Sequence, residues 1–258
     1  MAAAVETLAS RLPRRGVVEA GVIAGIYLIS ELSRGIAAGG AETAERHAAH
    51  VVHLERHLHL FAEPSIQRAV HHVALLPGLL GYAYLTLHLA ATGAVLLWVY
   101  RRHRRAYAPL RNTLALANGI AVLGYWLFPT APPRLAGVGI ADTVSHATSI
   151  NLTSNTISAF YNPYAAVPSM HIGFSLIVGL AVYRLAQRRV VRLAAAAYPV
   201  FVLLVIVATG NHFFLDAAAG AAVAGLAAAV VAVASRRRGA AGKVVEVDFA
   251  RRRDRLAA

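Results

Sequence analysis

The sequence predicts an all-α polytopic membrane protein, a six-transmembrane-helix bundle with one further helix lying along the extracytoplasmic interface. Hydrophobic residues make up 58% of the 258 residues. Charged residues make up only 14%, against about 25% in soluble domains. Six apolar stretches approach the length of a helical span, and the basic residues are concentrated in the segments on one side of them.

The six candidate spans follow from the need for about 20 apolar residues to cross a bilayer core. They lie at about 16–37, 73–100, 113–128, 169–186, 193–208 and 212–234. The first stretch also fits a cleaved signal peptide, because Arg14 and Arg15 precede it and small residues follow at 37–41. Glu31 and Arg34 interrupt its end and favour a retained span.

The distribution of basic residues predicts the orientation. With the N-terminus inside and six spans, 20 of the 25 basic residues fall inside and 5 outside. This bias predicts a plasma-membrane protein with both termini in the cytoplasm. The membrane domain is predicted at 16–235, followed by a basic tail at 236–258. The net charge of +13 does not indicate nucleic acid, because the basic residues form short runs between apolar segments. Cysteine is absent, which excludes a thiolate nucleophile.

Residues 41–62 predict an amphipathic helix at the outer interface. Its apolar residues recur at spacings of three and four, namely Val51, Leu54, Leu58 and Phe61. His50, His53 and His57 lie near one face and allow a metal-site hypothesis. Interfacial histidines at the mouth of a lipid entrance are the favoured interpretation, so neither a metal nor another cofactor is expected.

Three polar clusters fall on the same predicted side of the membrane, at 128–134, 167–171 and 209–216. The last predicts a nucleophile. Asn211 is a good N-cap residue, so that His212 would open the sixth span, with Asp216 one turn further on the same face. The carboxylate would fix the imidazole tautomer and leave the other ring nitrogen to attack phosphorus. The positive end of the helix would attract the anion.

The other two clusters supply the remaining chemistry. Ser169 is the predicted N-cap of the fourth span, which places His171 in its first turn as a candidate general acid. Arg134 offers a planar set of donors for phosphate oxygens. Ser169, Asn211 and Tyr125 complete the predicted substrate-binding set with Arg134. Together the residues form the inventory that phosphoryl transfer requires.

Less specific interpretations exist for each cluster alone. A single histidine near a membrane surface is usually interfacial, and a single HxxxD pattern occurs by chance. Asp142 and His146, in the proline-rich loop at 129–168, are candidates for headgroup contact, although a solvated loop is favoured. An alternative function is a transporter or lipid-binding protein that uses Arg134 and the histidines to recognise an anionic headgroup without catalysis.

The clusters resemble the motifs of the type 2 phosphatidic acid phosphatase superfamily over roughly residues 20–235. Residues 168–171, Pro-Ser-Met-His, are similar to its P-S-x-H motif, and residues 212–216, His-Phe-Phe-Leu-Asp, to its HxxxD motif. The stretch 128–134, with Asn-Pro-Tyr at 162–164, resembles the branch that contains inositol phosphorylceramide synthases and their bacterial relatives.

The resemblance implies a lipid phosphatase or inositolphosphotransferase-like enzyme with six spans and no metal. His212 would form a phosphohistidine, with Asp216 as its partner and His171 as general acid. The substrate would be a phosphorylated lipid and the acceptor water or a polyol. The sequence departs from the superfamily at residue 127, where leucine replaces a usual lysine, and at 205–206, where Val-Ile replaces Ser-Arg. These departures fit the transferase-like branch better.

Overall fold

The computed structural model describes residues 16–19, 21, 22, 25, 40–148, 150 and 162–256, with side chains as far as residue 237. In these ranges the regular structure is helical, apart from a 3-10 turn at Pro133–Leu135 and one isolated bridge between Thr130 and Ala165. The helices from residue 40 onward are α1 Ala41–His57, α2 Glu63–His71, α3 Leu76–Arg102, α4 Arg104–Leu127, α5 Thr143–Thr148, α6 Met170–Leu185, α7 Arg189–Ala208 and α8 Phe214–Leu256.

Among the residues that the structure describes, three helices are long and apolar enough to cross a membrane: Leu76–Arg102, Arg189–Ala208 and the Phe214–Arg237 part of α8. Helix α6 is apolar but shorter, with 16 residues. The predicted all-α membrane class is therefore confirmed. The first predicted span lies largely outside the described residues, so the count of six spans stays a prediction.

Glycines let α6 and α8 cross at close range. A Cβ atom on Gly220 would lie 2.1 Å from the carbonyl oxygen of Ser169, and one on Gly173 would lie 3.3 Å from the carbonyl oxygen of Gly220. Small residues are the usual means by which membrane helices approach each other. The crossing joins the two helix starts, where the backbone N–H of Ser169 donates to the carbonyl of Asp216 over 2.9 Å.

Helix α1 is helical as its periodicity predicted, and it packs on the protein through a face of small residues. Ala44 and Ala48 are fully buried, in one apolar cluster with Ala131 and Phe213. The backbone N–H of Ala131 donates to the carbonyl of Ala44 over 3.0 Å. Leu54 lies outside this face and is 49% exposed. The position of α1 along a membrane interface stays a prediction.

Candidate active site

His212 is a buried imidazole whose tautomer is set by two acceptors. Its Nδ1 lies 3.1 Å from the carbonyl oxygen of Ala166 and 3.3 Å from Oδ2 of Asp216. A carbonyl oxygen only accepts hydrogen bonds, so Nδ1 carries the proton and Nε2 carries the lone pair. Asp216 lies one helical turn from His212, as the sequence predicted, and is fully buried.

The start of α8 differs from the prediction. The helix begins at Phe214, so His212 precedes it, and Asn211 is not its N-cap. The side-chain amide of Asn211 donates instead to the carbonyl and hydroxyl oxygens of Thr209, over 3.2 and 3.0 Å. Gly210 makes the preceding turn with a φ of 71°, and a Cβ there would lie 2.8 Å from the carbonyl oxygen of Ala141.

Three carboxyl groups take the first backbone amides of this helix. Oδ2 of Asp216 accepts from the N–H of Phe213 over 2.9 Å. Oε1 of Glu63 accepts from Phe214 over 3.1 Å, and Oε1 of Glu55 accepts from Leu215 over 2.7 Å. These backbone amides therefore donate to the protein's own carboxyl groups, and attraction of the anion by this helix start stays a prediction.

Sequence reasoning missed Glu55 and Glu63, which are both fully buried. One signal was available for the first of them. Glu55 follows Val51 by four residues and Val52 by three, so it lies on the buried face of α1 and not on its polar face. An acidic residue in that position needs a buried partner, and the partner is the start of a helix 160 residues away.

His171 lies in the first turn of α6, with Ser169 at the N-cap, as predicted. The Ser169 side chain makes no capping hydrogen bond, and its buried hydroxyl has no hydrogen-bond partner among the described residues. The backbone of Ser169 carries the connection to α8 instead. Ser169 is therefore the N-cap by its backbone conformation, and its side chain does not stabilise the helix start.

Aromatic rings surround His171. Its ring centroid lies 5.5 Å from that of His212, with 59° between the ring planes. Tyr84 stacks on it at 4.5 Å, and His88 lies at 4.0 Å. Sequence reasoning did not select these two α3 residues, because single polar side chains in an apolar span carry no motif. The imidazoles of His171 and His212 are close enough for both to contact one phosphate group placed between them.

Arg134 lies beside the residue that precedes His212. Its Nη1 donates to Oδ1 of Asn211 over 2.8 Å, and its Nε lies 3.4 Å from Oδ2 of Asp142. The backbone N–H of Arg134 donates to the carbonyl of Gly210 over 3.0 Å. The guanidinium is thus oriented by an amide and a carboxylate, and Asp142 contacts this arginine instead of standing in a solvated loop.

The residues just before the second cluster link the first cluster to His212 of the third. The N–H of Thr130 donates to the carbonyl of Tyr164 over 2.8 Å, and the N–H of Ala166 donates to the carbonyl of Thr130 over 3.3 Å. The carbonyl of Ala166 is the acceptor for His212. Tyr125, predicted to bind substrate, donates its hydroxyl to the carbonyl of Pro168 over 3.0 Å and so braces the P-S-x-H motif.

Three of the four histidines of α1 make specific contacts. Nδ1 of His47 lies 2.7 Å from the carbonyl oxygen of Pro129, and its ring stacks on Phe128 at 4.1 Å. His53 and His57 contact each other, with 3.2 Å between their Nε2 atoms. Within the part of the chain that the structure describes, no three His, Asp or Glu side chains are grouped so that they would hold a metal.

Comparison with known proteins gives one match. Residues 49–230, more than half of the chain, match the family model described as PAP2 superfamily. No curated protein and no solved structure matches the chain. The resemblance is confirmed at the level of the superfamily, and the inositol phosphorylceramide synthase-like branch stays a prediction.

Proposed function

The chain belongs to the PAP2 superfamily, and we propose that it is an integral membrane enzyme that removes or transfers the phosphate group of a phosphorylated lipid through a phosphohistidine. The observation that carries the proposal is the pairing of two imidazoles at 5.5 Å, one of them held by a buried carboxylate. A nucleophile, the group that orients it and a proton donor then surround one position for phosphorus.

The first step forms the covalent intermediate. Nε2 of His212 attacks phosphorus, and the bond from phosphorus to the lipid oxygen breaks. His171 gives a proton to the departing oxygen, so that the lipid leaves as an alcohol. Asp216 holds the Nδ1–H and balances the positive charge that develops on the ring. Arg134 neutralises charge on the phosphate oxygens.

The second step regenerates the enzyme. His171, now neutral, removes a proton from the acceptor hydroxyl, which attacks the phosphohistidine and breaks its phosphorus–nitrogen bond. Water as the acceptor gives inorganic phosphate, and a polyol such as inositol gives a new phosphate ester. The departures from the phosphatase motifs at residues 127 and 205–206 favour the inositolphosphotransferase-like branch.

The proposal includes a topology. Six spans, both termini in the cytoplasm and the imidazole pair at the outer face of the plasma membrane follow from the distribution of basic residues. The lipid tail would stay in the bilayer while its phosphate meets His212. The contact between the starts of α6 and α8 supports this arrangement, because both histidines then belong to the same membrane face.

A phosphate-release screen tests the activity. The purified protein in detergent is offered phosphatidic acid, other phospholipids and polyprenyl phosphates, with His212→Ala as blank. We expect turnover of at least one lipid by the wild type and none by the variant. Equal phosphate release by both proteins would end the assignment of the nucleophile.

A second assay separates hydrolysis from transfer. A turned-over lipid, labelled in its phosphate, is incubated with the enzyme in the presence and absence of free inositol. A new labelled inositol ester identifies a transferase, and labelled phosphate alone identifies a phosphatase. Saturable lipid binding without any turnover would favour the non-catalytic transporter or lipid-binding alternative and contradict the proposal.

A further inference from the structure

Two carboxyl groups outside the proposed chemistry are buried at the helix that follows the nucleophile. Glu55 comes from α1 and Glu63 from the first residue of α2, and neither is exposed. Each uses one oxygen to accept a backbone N–H of α8, from Leu215 and Phe214 respectively. The acceptors lie 160 and 151 residues from these donors in the sequence, so the contact joins distant parts of the chain.

The remaining oxygens of the two glutamates require a proton. Oε2 of Glu55 and Oε2 of Glu63 are buried without a hydrogen-bond donor among the described residues. The two carboxyl groups accept from consecutive backbone amides of α8, so they are neighbours at the start of that helix. Two ionised carboxylates in this position would repel each other and lack solvation, whereas one shared proton satisfies both oxygens.

The electrostatics agree with a shared proton. Burial and the hydrogen bond to Glu63 raise the pKa of Glu55, the backbone N–H of Leu215 lowers it, and the net result is a pKa of about 9 against an ordinary 4.5. The charges of Glu63 and Asp216 also raise it. In the described part of the chain, the titratable groups that act on Glu55 are Glu63 from α2 and Asp216 from α8.

We propose that Glu55 and Glu63 are positioning residues that share one proton and thereby hold the start of α8, and with it His212, in the orientation for attack on phosphorus. The inference rests on the proposed function. The pair touches no reacting atom and acts through the backbone of Phe214 and Leu215, next to Phe213, whose buried ring packs on α1. Loss of the proton places a second negative charge beside Asp216 and loosens the contact.

The variant Glu55→Gln tests the shared proton, since it imitates the protonated acid. Its amide oxygen accepts from Leu215, and its NH₂ group donates to Glu63. We expect its kcat to stay within about threefold of wild type at neutral pH, because both hydrogen bonds persist. Glu55→Ala should lower kcat by about 100-fold with little change in KM, because a displaced nucleophile reacts slowly. The matched control is Glu45→Gln, an exposed glutamate on the same helix.

The pH dependence of kcat distinguishes a shared proton from a purely structural role of Glu55, which would leave this dependence unchanged. Wild-type kcat should fall as pH rises through about 9, and Glu55→Gln should lack this fall. An equal loss in Glu55→Gln and Glu55→Ala, or an alkaline fall that persists in Glu55→Gln, would overturn the proposal.

Two measurements need no turnover and so separate this inference from the proposed function. The infrared band of a protonated carboxyl group should be present in the wild type at neutral pH and lost in Glu55→Gln. Because the pKa of Glu55 is raised, the folded protein keeps a proton that the unfolded chain releases. The contribution of Glu55 to the free energy of unfolding is therefore full below pH 4.5 and is lost as pH rises through about 9. The unfolding temperature of Glu55→Gln should show less of this decline. An unchanged band and an unchanged slope would refute the shared proton even if Glu55→Ala fails to fold.

Discussion

Helices α6 and α8 begin side by side, yet the two helix starts are held in different ways. The first amides of α8 donate to carboxyl groups of Asp216, Glu63 and Glu55. At α6 the N-cap side chain of Ser169 makes no such bond, and the connection runs through its backbone N–H to α8. The start of α8 is thus fixed by side-chain carboxyl groups, two of them from α1 and α2, whereas the start of α6 is fixed by a backbone hydrogen bond to α8.

The two histidines also differ in the contacts that hold their rings. His212 is held by acceptors that place its proton on Nδ1, whereas His171 is held by the rings of Tyr84 and His88. Stacking fixes the plane of a ring but does not by itself assign its proton. A nucleophile needs one tautomer throughout, and a general acid must give up its proton and recover it. The two modes of support suit the two proposed roles.

The largest expected effect is that of His212→Ala. Loss of the proposed nucleophile should lower kcat by about 10⁶-fold, to background, for every substrate. Lipid turnover in detergent is the measurement. The matched control is His72→Ala, an exposed histidine at the end of α2, which should retain wild-type kcat. Comparable losses in both variants would mean that the effect is not specific to the site.

A smaller effect is expected from His171→Ala, and it should depend on the leaving group. Loss of a general acid costs about 10²–10⁴-fold in rate with an alkyl leaving group. The first turnover of a nitrophenyl phosphate ester, whose leaving group needs no proton, reports formation of the phosphohistidine alone and should recover most of this loss in His171→Ala and none in His212→Ala. If the ester recovers neither variant, His171 acts in some way other than proton donation.

The crossing that joins the two helix starts is tested by Gly220→Ala. The new methyl group would lie 2.1 Å from the carbonyl oxygen of Ser169, so the helices must move apart. Overpacking of this kind costs about 1–3 kcal/mol, and we expect a lower unfolding temperature in detergent. Gly225→Ala is the control on the same helix, because its Cβ would meet nothing within 4 Å. A fall of equal size in both variants would contradict the importance of this close approach.

The sequence predicted the elements that depend on local pattern. The apolar run at 193–208 corresponds to α7, Arg189–Ala208, and His171 lies in the first turn of α6 as expected. The pairing of His212 with Asp216 follows from helical spacing, although the helix starts two residues later than predicted. Spacing of four residues brings these side chains together even at a helix terminus.

The remaining features depend on contacts between distant residues. Glu55 belongs to a polar, histidine-rich segment, and only the fold shows that it is buried against α8. His88 interrupts an apolar span, and only the packing of α3 against α6 brings it to His171. Asp142 belongs to a segment that the sequence predicts to be a solvated loop, and only the fold shows its contact with Arg134. Pattern within one element cannot supply such partners.

The smallest expected effect is that of Tyr125→Phe, which removes one hydrogen bond from the start of α6. The carbonyl of Pro168 loses its donor, at a cost of about 1 kcal/mol. Because His171 directly follows this turn, whereas His212 is also held by Asp216, the loss of rate should be about fivefold for an alkyl leaving group and smaller for the first turnover of a nitrophenyl ester. Tyr82→Phe is the control, since that hydroxyl makes only a 3.5 Å contact from a half-exposed side chain. Equal losses with both leaving groups would show that Tyr125 supports the two helix starts alike, and the contrast between them would then be smaller than the hydrogen bonds indicate.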